Sequence, residues 1–274
     1  MIEINNLTKK FGDFKAVDNI SLDIKKGRIY GFVGKNGAGK STTMRVMMNM
    51  LMPSSGSVRI NNLDAVEDSK RIKEFTSYMP SDITYYDNLK VSKFFEFNLE
   101  FSARTKDDMA DLAKYFELDL NKKIAELSLG NKKKVSIIAM LLKGGDVLIL
   151  DEPTSGLDPL MQKKFFDLIL REKEAGVTVF LSSHNLLEIE RYCDEVAIIK
   201  DGKIVEIVDL DKVSIKHQQV VEYKIKDGRE VRRDVVGDIN ELVLELSLLD
   251  LEYLEIKNKS VESEFIGFYE GKGE

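Results

Sequence analysis

The chain has 274 residues, of which 43% are hydrophobic and 32% are charged, a composition typical of a globular protein with a sizeable core. Its net charge of −6 comes from 41 basic and 47 acidic residues, and this balance argues against a nucleic-acid partner. Because Cys193 is the only cysteine, an internal disulfide is excluded and a reducing, cytoplasmic setting is favoured.

We expect any membrane channel that works with this protein to come from another chain. The most apolar run, residues 135–142, is far shorter than the roughly 20 residues that cross a bilayer. The first residues also lack the apolar segment of a secretory signal, so none is expected.

Hydrophobic periodicity predicts an α/β fold with a small appendage. In chain order, the predicted elements are strands at 20–24 and 28–33, a helix at 40–51, a strand at 57–60, helices at 92–101 (capped by Ser92), 107–116 and 130–141, a strand at 147–150, a helix at 160–174, a strand at 177–181, a helix at 186–192, and strands at 196–199 and 204–208. Strands that alternate with helices indicate a mostly parallel sheet, and the helical block is an insertion into it. Beyond residue 210 the sequence predicts a strand at 220–225, a turn at Asp227-Gly228, a helix at 240–249 and an apolar end at 265–269.

The strongest motif lies between a buried strand and a helix. It is Gly34-Lys35-Asn36-Gly37-Ala38-Gly39-Lys40-Ser41, followed by Thr42, and it matches G-x-x-x-x-G-K-[ST]. The glycines let successive N–H groups point at phosphate oxygens, and the helix N-terminus adds positive potential. Lys40 supplies charge for the β- and γ-phosphates, and Ser41 can ligate Mg²⁺. A chance glycine turn is the alternative, but the flanking elements favour an ATP site.

A second motif places two acids at the end of the apolar strand 147–150. Asp151 can hold Mg²⁺, and Glu152 can orient and deprotonate an attacking water. Two acids in a surface turn are common after any strand. The phosphate loop makes the catalytic interpretation the stronger one.

The motifs together resemble those of ATP-binding cassette (ABC) ATPases and occur in that family's order. After the phosphate loop come Leu127-Ser128-Leu129-Gly130-Asn131, Leu150-Asp151-Glu152-Pro153-Thr154, Ser155-Gly156-Leu157-Asp158 and Leu181-Ser182-Ser183-His184. The resemblance implies an α/β P-loop fold of ABC type, with a mixed, mostly parallel sheet, antiparallel edge strands and a helical subdomain at about 82–142. The nucleotide-binding domain would cover residues 1–210, and residues 211–274 would form a small α+β accessory domain.

The resemblance also implies roles for residues outside the two motifs. Phe11 would stack on adenine, with a core phenylalanine as the alternative, and His184 would contact the γ-phosphate as a catalytic residue beside Glu152 and Lys40. Ser128 and Gly130 would cap the γ-phosphate of a second subunit, and Asp158 would lie in a loop that crosses the interface. These roles imply a head-to-tail dimer, with a second copy or a homologous subunit, that encloses two MgATP molecules.

This sequence departs from the family pattern at several positions. Leu129 replaces a glycine and Asn131 replaces a glutamine in the signature. Ser81 stands where the family has a glutamine that reaches toward Mg²⁺, and it is too short for that reach; Asp82 is a candidate substitute. The basic run at residues 132–134 is interpreted as a solvated helix face.

The expected function is the ATP-hydrolysing subunit of a transporter, docked beneath a separate membrane-spanning permease at the inner face of the cell membrane. The tail resembles that of bacterial exporters of drugs, antibiotics or peptides, and an importer is the competing choice. A soluble mechanochemical ATPase is a further alternative, but the single cassette lacks heptad runs and cysteine pairs. A regulatory module with little activity is the last alternative, suggested by Ser81 and the altered signature.

Overall fold

A computed structural model describes residues 1–82, 87–212, 218–226, 228–236 and 239–258. The chain divides into two compact units, Met1–Ile207 and Val208–Glu274. No described helix has both the length and the apolar character needed to cross a membrane.

The first unit alternates strands and helices. Its strands are β1 (Ile2–Phe11), β2 (Phe14–Ile24), β3 (Ile29–Val33), β4 (Ser55–Ile60), β5 (Leu63–Asp64), β6 (Thr76–Met79), β7 (Val147–Asp151), β8 (Thr178–Ser183), β9 (Glu195–Lys200) and β10 (Lys203–Asp209), the last of which runs into the second unit. Its α-helices are α1 (Lys40–Met47), α2 (Ser69–Phe75), α3 (Val91–Leu99), α4 (Lys106–Tyr115), α5 (Leu129–Lys143), α6 (Pro159–Glu174) and α7 (Leu186–Tyr192).

The strands that position the candidate site belong to a six-stranded sheet with the order β10-β9-β3-β8-β7-β6. β3 is parallel to β8 and β9, and β7 is parallel to β8 and β6. Every residue of β3, β7 and β8 is buried, as expected for parallel strands covered on both faces. Because parallel strands end at the same edge, the loops after β3, β7 and β8 lie side by side.

The predicted strands at 20–24 and 57–60 lie in a separate four-stranded sheet with the order β2-β1-β4-β5. β1 pairs antiparallel with both β2 and β4. A shared hydrophobic core contains Ile4 and Leu22 of this sheet, Met44 of α1, and Phe32 and Ile149 of the parallel sheet. This core fixes the helix that follows the phosphate loop.

Two of the helix boundaries that differ from the sequence prediction have a clear structural cause. Ser92 does not cap α3, because the helix starts at Val91 and the N–H groups of Val91 and Ser92 donate to the carbonyls of Lys122 and Leu120, both at 3.0 Å. α1 ends at Met47, before the predicted residue 51, since Asn49 adopts a left-handed backbone with φ 50°.

The second unit is a three-stranded antiparallel sheet with one helix. It contains β11 (Gln218–Ile225), β12 (Glu230–Val236), α8 (Ile239–Ser247) and β13 (Leu251–Asn258), with the strand order β12-β11-β13. Leu242 and Leu246 of α8 pack on Val221 of β11. Asp227 of the predicted turn and residues 265–269 lie outside the described residues.

Candidate functional site

Close backbone contacts fix the shape of the loop between β3 and α1. A Cβ built on Gly34 would lie 2.5 Å from the carbonyl oxygen of Ile199, and one on Gly39 would lie 2.5 Å from that of Ala16. Gly39 also has φ 111° and is the residue that precedes α1. Only glycine fits both positions without a shift of the backbone.

A cavity of about 440 Å³ opens over this loop. It is lined by Asn36, Gly37, Gly39, Lys40, Ser41, Thr42, Ser81, Asp82, Glu152, Ser155 and His184. Since α1 starts at Lys40, the N–H groups of its first turn have no acceptor within the helix, and the positive end of the helix dipole faces the cavity. The lining therefore combines donors for phosphate with oxygen ligands for a divalent cation.

Lys40 links the phosphate loop to the catalytic side of the cavity. Its side chain is 5% exposed, and its ammonium donates to the carbonyl oxygens of Gly34 at 2.5 Å and Lys35 at 3.3 Å. The same Nζ lies 3.2 Å from Glu152 Oε1. The loop carbonyls thus hold the ammonium between β3 and β7.

Asp151 is the fully buried last residue of β7. Its Oδ1 accepts a hydrogen bond from Ser182 Oγ at 2.7 Å, whereas Oδ2 is buried and has no donor among the described residues. A buried carboxylate oxygen without a partner is costly, and a hard cation with oxygen ligands would satisfy it. The carboxylate of Asp151 and the hydroxyl of Ser41 therefore fit the donor set for Mg²⁺.

Glu152 follows β7 in a left-handed backbone conformation with φ 49°, which is uncommon for glutamate and typical of functional sites. Its Oε2 lies 2.6 Å from Nδ1 of His184, the residue that directly follows β8. Because a carboxylate only accepts hydrogen bonds, Nδ1 carries the donated proton. The structure thus brings together Lys40, Glu152 and His184, the predicted catalytic residues.

Two supporting residues were missed by the sequence analysis. Ser182 of β8 donates to Asp151 and accepts from the Glu152 N–H at 2.9 Å, so it orients both acids. Glu188 of α7 is buried and accepts from Thr154 Oγ1 at 2.9 Å and Ser183 Oγ at 3.3 Å. Burial raises the pKa of Glu188, although these two hydroxyl groups act to lower it.

Four predicted site residues outside the phosphate loop and β7 do not line the cavity. Phe11 is 49% exposed at the end of β1, Ser128 caps α5 by accepting from Asn131 N–H, and Asp158 caps α6 by accepting from Met161 N–H. Gly130 lies beside the loop of Asp158, because a Cβ there would be 3.4 Å from the Gly156 carbonyl oxygen. Gly34, Lys35 and Ala38 shape the phosphate loop without lining the cavity.

The prediction that residues 132–134 form a solvated face is wrong for Lys133. Lys132 and Lys134 are partly exposed, but Lys133 is only 8% exposed. Helical geometry explains the difference, because position 133 falls on the face of α5 that packs against the sheet.

A parallel sheet whose neighbouring strand ends carry a phosphate loop, paired acids and a histidine defines an ABC-type ATP hydrolase. The chain belongs to the ABC transporter family, whose family model matches residues 17–155.

Relatives show that it is the ATP-binding subunit of such a transporter. An uncharacterized ABC transporter ATP-binding protein of Methanocaldococcus jannaschii is 34% identical and aligns over 93% of this chain and 95% of its own length. The bacitracin transport ATP-binding protein of Bacillus licheniformis is 34% identical over 83% of this chain and 76% of that protein. A methionine import ATP-binding protein of Oceanobacillus iheyensis is also 34% identical, over 75% of this chain and 64% of that protein.

Solved structures confirm the predicted fold class. The ATP-binding subunit of an ABC transporter matches with a TM-score of 0.72 and 25% identity, covering 79% of this chain and 92% of that one. A dimeric bacterial ABC transporter cassette matches with a TM-score of 0.70 and 25% identity, covering 77% of this chain and 99% of that one. Cassettes of this family therefore form dimers.

Proposed function

We propose that this subunit hydrolyses MgATP to drive export of a drug, antibiotic or peptide through a separate membrane-spanning permease. The observation that carries the proposal is the convergence of Lys40, Glu152 and His184 at one cavity beside Asp151. The direction and substrate class rest on the similarity to the bacitracin transport protein. An importer is the second candidate, since the methionine import protein is equally identical over a smaller share of both chains.

The phosphate loop, residues 34–42, would hold the triphosphate by its N–H groups and by Lys40. The phosphates would compete with Glu152 for the Lys40 ammonium, so nucleotide binding would free one carboxylate oxygen of Glu152. Glu152 would then orient the attacking water and take its proton, while His184 holds the other carboxylate oxygen.

The donor set of Ser41 and Asp151 would hold Mg²⁺, which supplies charge stabilisation to the phosphoryl oxygens when bound. Ser182 keeps Asp151 in place by its hydrogen bond of 2.7 Å. Ser81 and Asp82 line the same cavity, so both are near enough to take part where the family places a glutamine.

A head-to-tail dimer would complete each site with residues of the second subunit. Ser128, Gly130 and Asp158 do not line this chain's own cavity, which supports a role across an interface. Phe11 is half-exposed, and its ring is accessible for stacking on adenine. The dimer would work at the cytoplasmic face of the membrane, where the permease would dock on the helices between β6 and β7.

The test compares wild-type protein with Glu152→Gln. The variant is expected to bind ATP normally, to lose at least about 100-fold in turnover and to form a dimer that persists with ATP. Phosphate release and size-exclusion chromatography measure these effects, with Glu174→Gln on the exposed end of α6 as the matched control. Hydrolysis by Glu152→Gln at the wild-type rate would remove Glu152 from the proposed role.

Direction is tested in inverted membrane vesicles that contain the subunit and its permease. An exporter accumulates a labelled peptide antibiotic such as bacitracin inside inverted vesicles when ATP is added outside. ATP-driven loss of a preloaded substrate from these vesicles would instead favour the importer.

A further inference from the structure

Lys164 of α6 is the centre of a cluster that joins the sheet-bearing core of the first unit to the helical insertion between β6 and β7. Its ammonium donates to the carbonyl oxygen of Tyr115 at 2.9 Å and to Glu117 Oε1 at 2.7 Å, and it lies 5.4 Å from the centre of the Tyr115 ring. The Tyr115 hydroxyl donates in turn to the carbonyl oxygen of Lys164 at 3.4 Å. These contacts hold the end of α4 on α6.

The geometry of Glu117 indicates that its side chain is kept for this contact. Glu117 follows the end of α4 in a left-handed backbone conformation with φ 56°, at a position that glycine usually occupies. The hydrogen bond from Lys164 also holds the pKa of Glu117 below its usual range, so the pair stays charged at neutral pH. The Lys164 side chain is 21% exposed and that of Glu117 is 66% exposed. Because ion pairs with exposed members contribute little to stability, we interpret the cluster as a device that orients α4.

A fixed connection runs from Glu117 to the signature segment, residues 127–131. The chain that leaves Glu117 is tied to the start of α3 by hydrogen bonds of 3.0 Å from the N–H groups of Val91 and Ser92, and it ends at Ser128, which caps α5. α4 itself packs against α5. The position of Glu117 therefore bears directly on the position of Ser128.

The start of α6 adjoins the signature segment from the other side. A Cβ on Gly130 would lie 3.4 Å from the carbonyl oxygen of Gly156, in the loop that leads into α6. Asp158 caps this helix, and Lys164 lies six residues further along it, a distance of about 9 Å along the helix axis. The same helix thus meets the insertion twice, beside Gly130 and again at Lys164.

We propose that Lys164 is a positioning residue for the ATP-dependent dimer, which holds the signature segment in the orientation that reaches the γ-phosphate bound by the second subunit. The inference rests on the proposed function and deepens it, because Ser128 and Gly130 are the residues assigned there to the second subunit's nucleotide. Lys164 is not among the described residues that line the nucleotide cavity, and it acts through Tyr115 and Glu117. Orientation matters because a displacement of about 1 Å at a reacting centre can cost about 100-fold in rate.

The test measures dimer formation with MgATP in the Glu152→Gln background, in which hydrolysis is slowed. Lys164→Met removes the ammonium, Lys164→Arg keeps a charged donor, and Lys163→Met at the neighbouring exposed position is the matched control. Sedimentation over a range of protein concentrations gives the dimer dissociation constant. We expect Lys164→Met to raise this constant about 10-fold, within the range for residues that couple distant sites, and Lys164→Arg to recover most of the loss. Lys163→Met should leave it unchanged.

Two further measurements separate positioning from a structural role. Binding of a fluorescent ATP analogue to dilute protein and the Tm should be the same in Lys164→Met as in Lys163→Met, since the phosphate loop is intact and an ion pair of this kind contributes little to stability. With Glu152 restored, Lys164→Met should hydrolyse ATP slowly at low protein concentration and approach the wild-type rate at high concentration.

An unchanged dimer dissociation constant in Lys164→Met would overturn the inference. A weaker dimer that accompanies a lower Tm, or that Lys164→Arg does not recover, would also overturn it by showing general damage to the insertion. Failure of the Glu152→Gln protein to form any dimer with MgATP would instead overturn the dimer of the proposed function, so the two failures are distinguishable.

Discussion

Glu152 Oε2 lies 2.6 Å from His184 Nδ1, while the other oxygen of the same carboxylate lies 3.2 Å from Lys40 Nζ. The contact between Glu152 and His184 joins the end of β7 to the end of β8, two neighbouring parallel strands. Glu152 has a left-handed backbone conformation and lines the cavity, where its carboxylate contacts both partners. The side chains of His184 and Lys40 thus orient the carboxylate of Glu152 without any contribution from a nucleotide.

Replacing His184 should slow hydrolysis without unfolding the protein. His184→Ala removes the contact to Glu152 Oε2, and the His184 side chain is 60% exposed, so little packing is lost. We expect kcat to fall at least about 10-fold, with ATP binding nearly unchanged, in steady-state phosphate release and equilibrium binding. Wild-type turnover in His184→Ala would show that this contact does not orient Glu152.

Replacing Asp194 should destabilise the first unit. Asp194 is buried, and its carboxylate accepts the Ile29 N–H at 2.8 Å and pairs with Lys173. Asp194→Ala removes the acceptor of the buried Ile29 N–H and the carboxylate that pairs with Lys173, at a cost of about 3 kcal/mol in the free energy of unfolding. Urea unfolding measures the loss of stability, with Asp13→Ala at an exposed position as the control. Equal unfolding midpoints for the two variants would contradict the prediction.

The two loop glycines Gly34 and Gly37 should differ in their tolerance of alanine. A Cβ at Gly34 would lie 2.5 Å from the Ile199 carbonyl oxygen, whereas one at Gly37 would meet nothing within 4 Å. Gly37 has φ 83°, so Gly37→Ala should cost only about 1 kcal/mol from the backbone conformation. Gly34→Ala should cost about 2–3 kcal/mol. The Tm values of the two variants, measured without nucleotide, rank these costs. A lower Tm for Gly37→Ala than for Gly34→Ala would contradict the close approach between Gly34 and the Ile199 carbonyl.

The sequence predicted the parts of the fold that are encoded locally. β3 and β7 are continuous apolar runs because both of their faces are covered, and each is followed by a motif that marks its end. β6 was not predicted, because its buried Thr76 and Ser77 are polar, and Ser77 Oγ donates to the carbonyl of Gly144, which is distant in the sequence, at 2.6 Å. β1 was also missed, since its register with β2 is interrupted by irregularities that break the alternation.

The same distinction applies to the site. The phosphate loop, Asp151, Glu152 and His184 belong to contiguous motifs, so the sequence alone marks them as candidates. Ser182 of β8 and Glu188 of α7 act through contacts with residues that lie about 30 positions away in the sequence, which no local pattern reports. The burial of Lys133 was not predicted, because a run of three lysines is typical of a solvent-exposed helix face. Its burial follows from how α5 packs.

Equilibrium binding of labelled ATP with Mg²⁺ to the wild-type protein and to Lys40→Ala is the most direct test of the nucleotide site. The control is Lys25→Ala, which changes an exposed lysine that pairs with Asp23 at the surface. We expect saturable binding by wild type and by the control, and an affinity at least about 10-fold lower for Lys40→Ala, equivalent to about 1.4 kcal/mol. A wild-type protein that retains no ATP, or a Lys40→Ala variant that binds it equally well, would contradict a phosphate site at this loop.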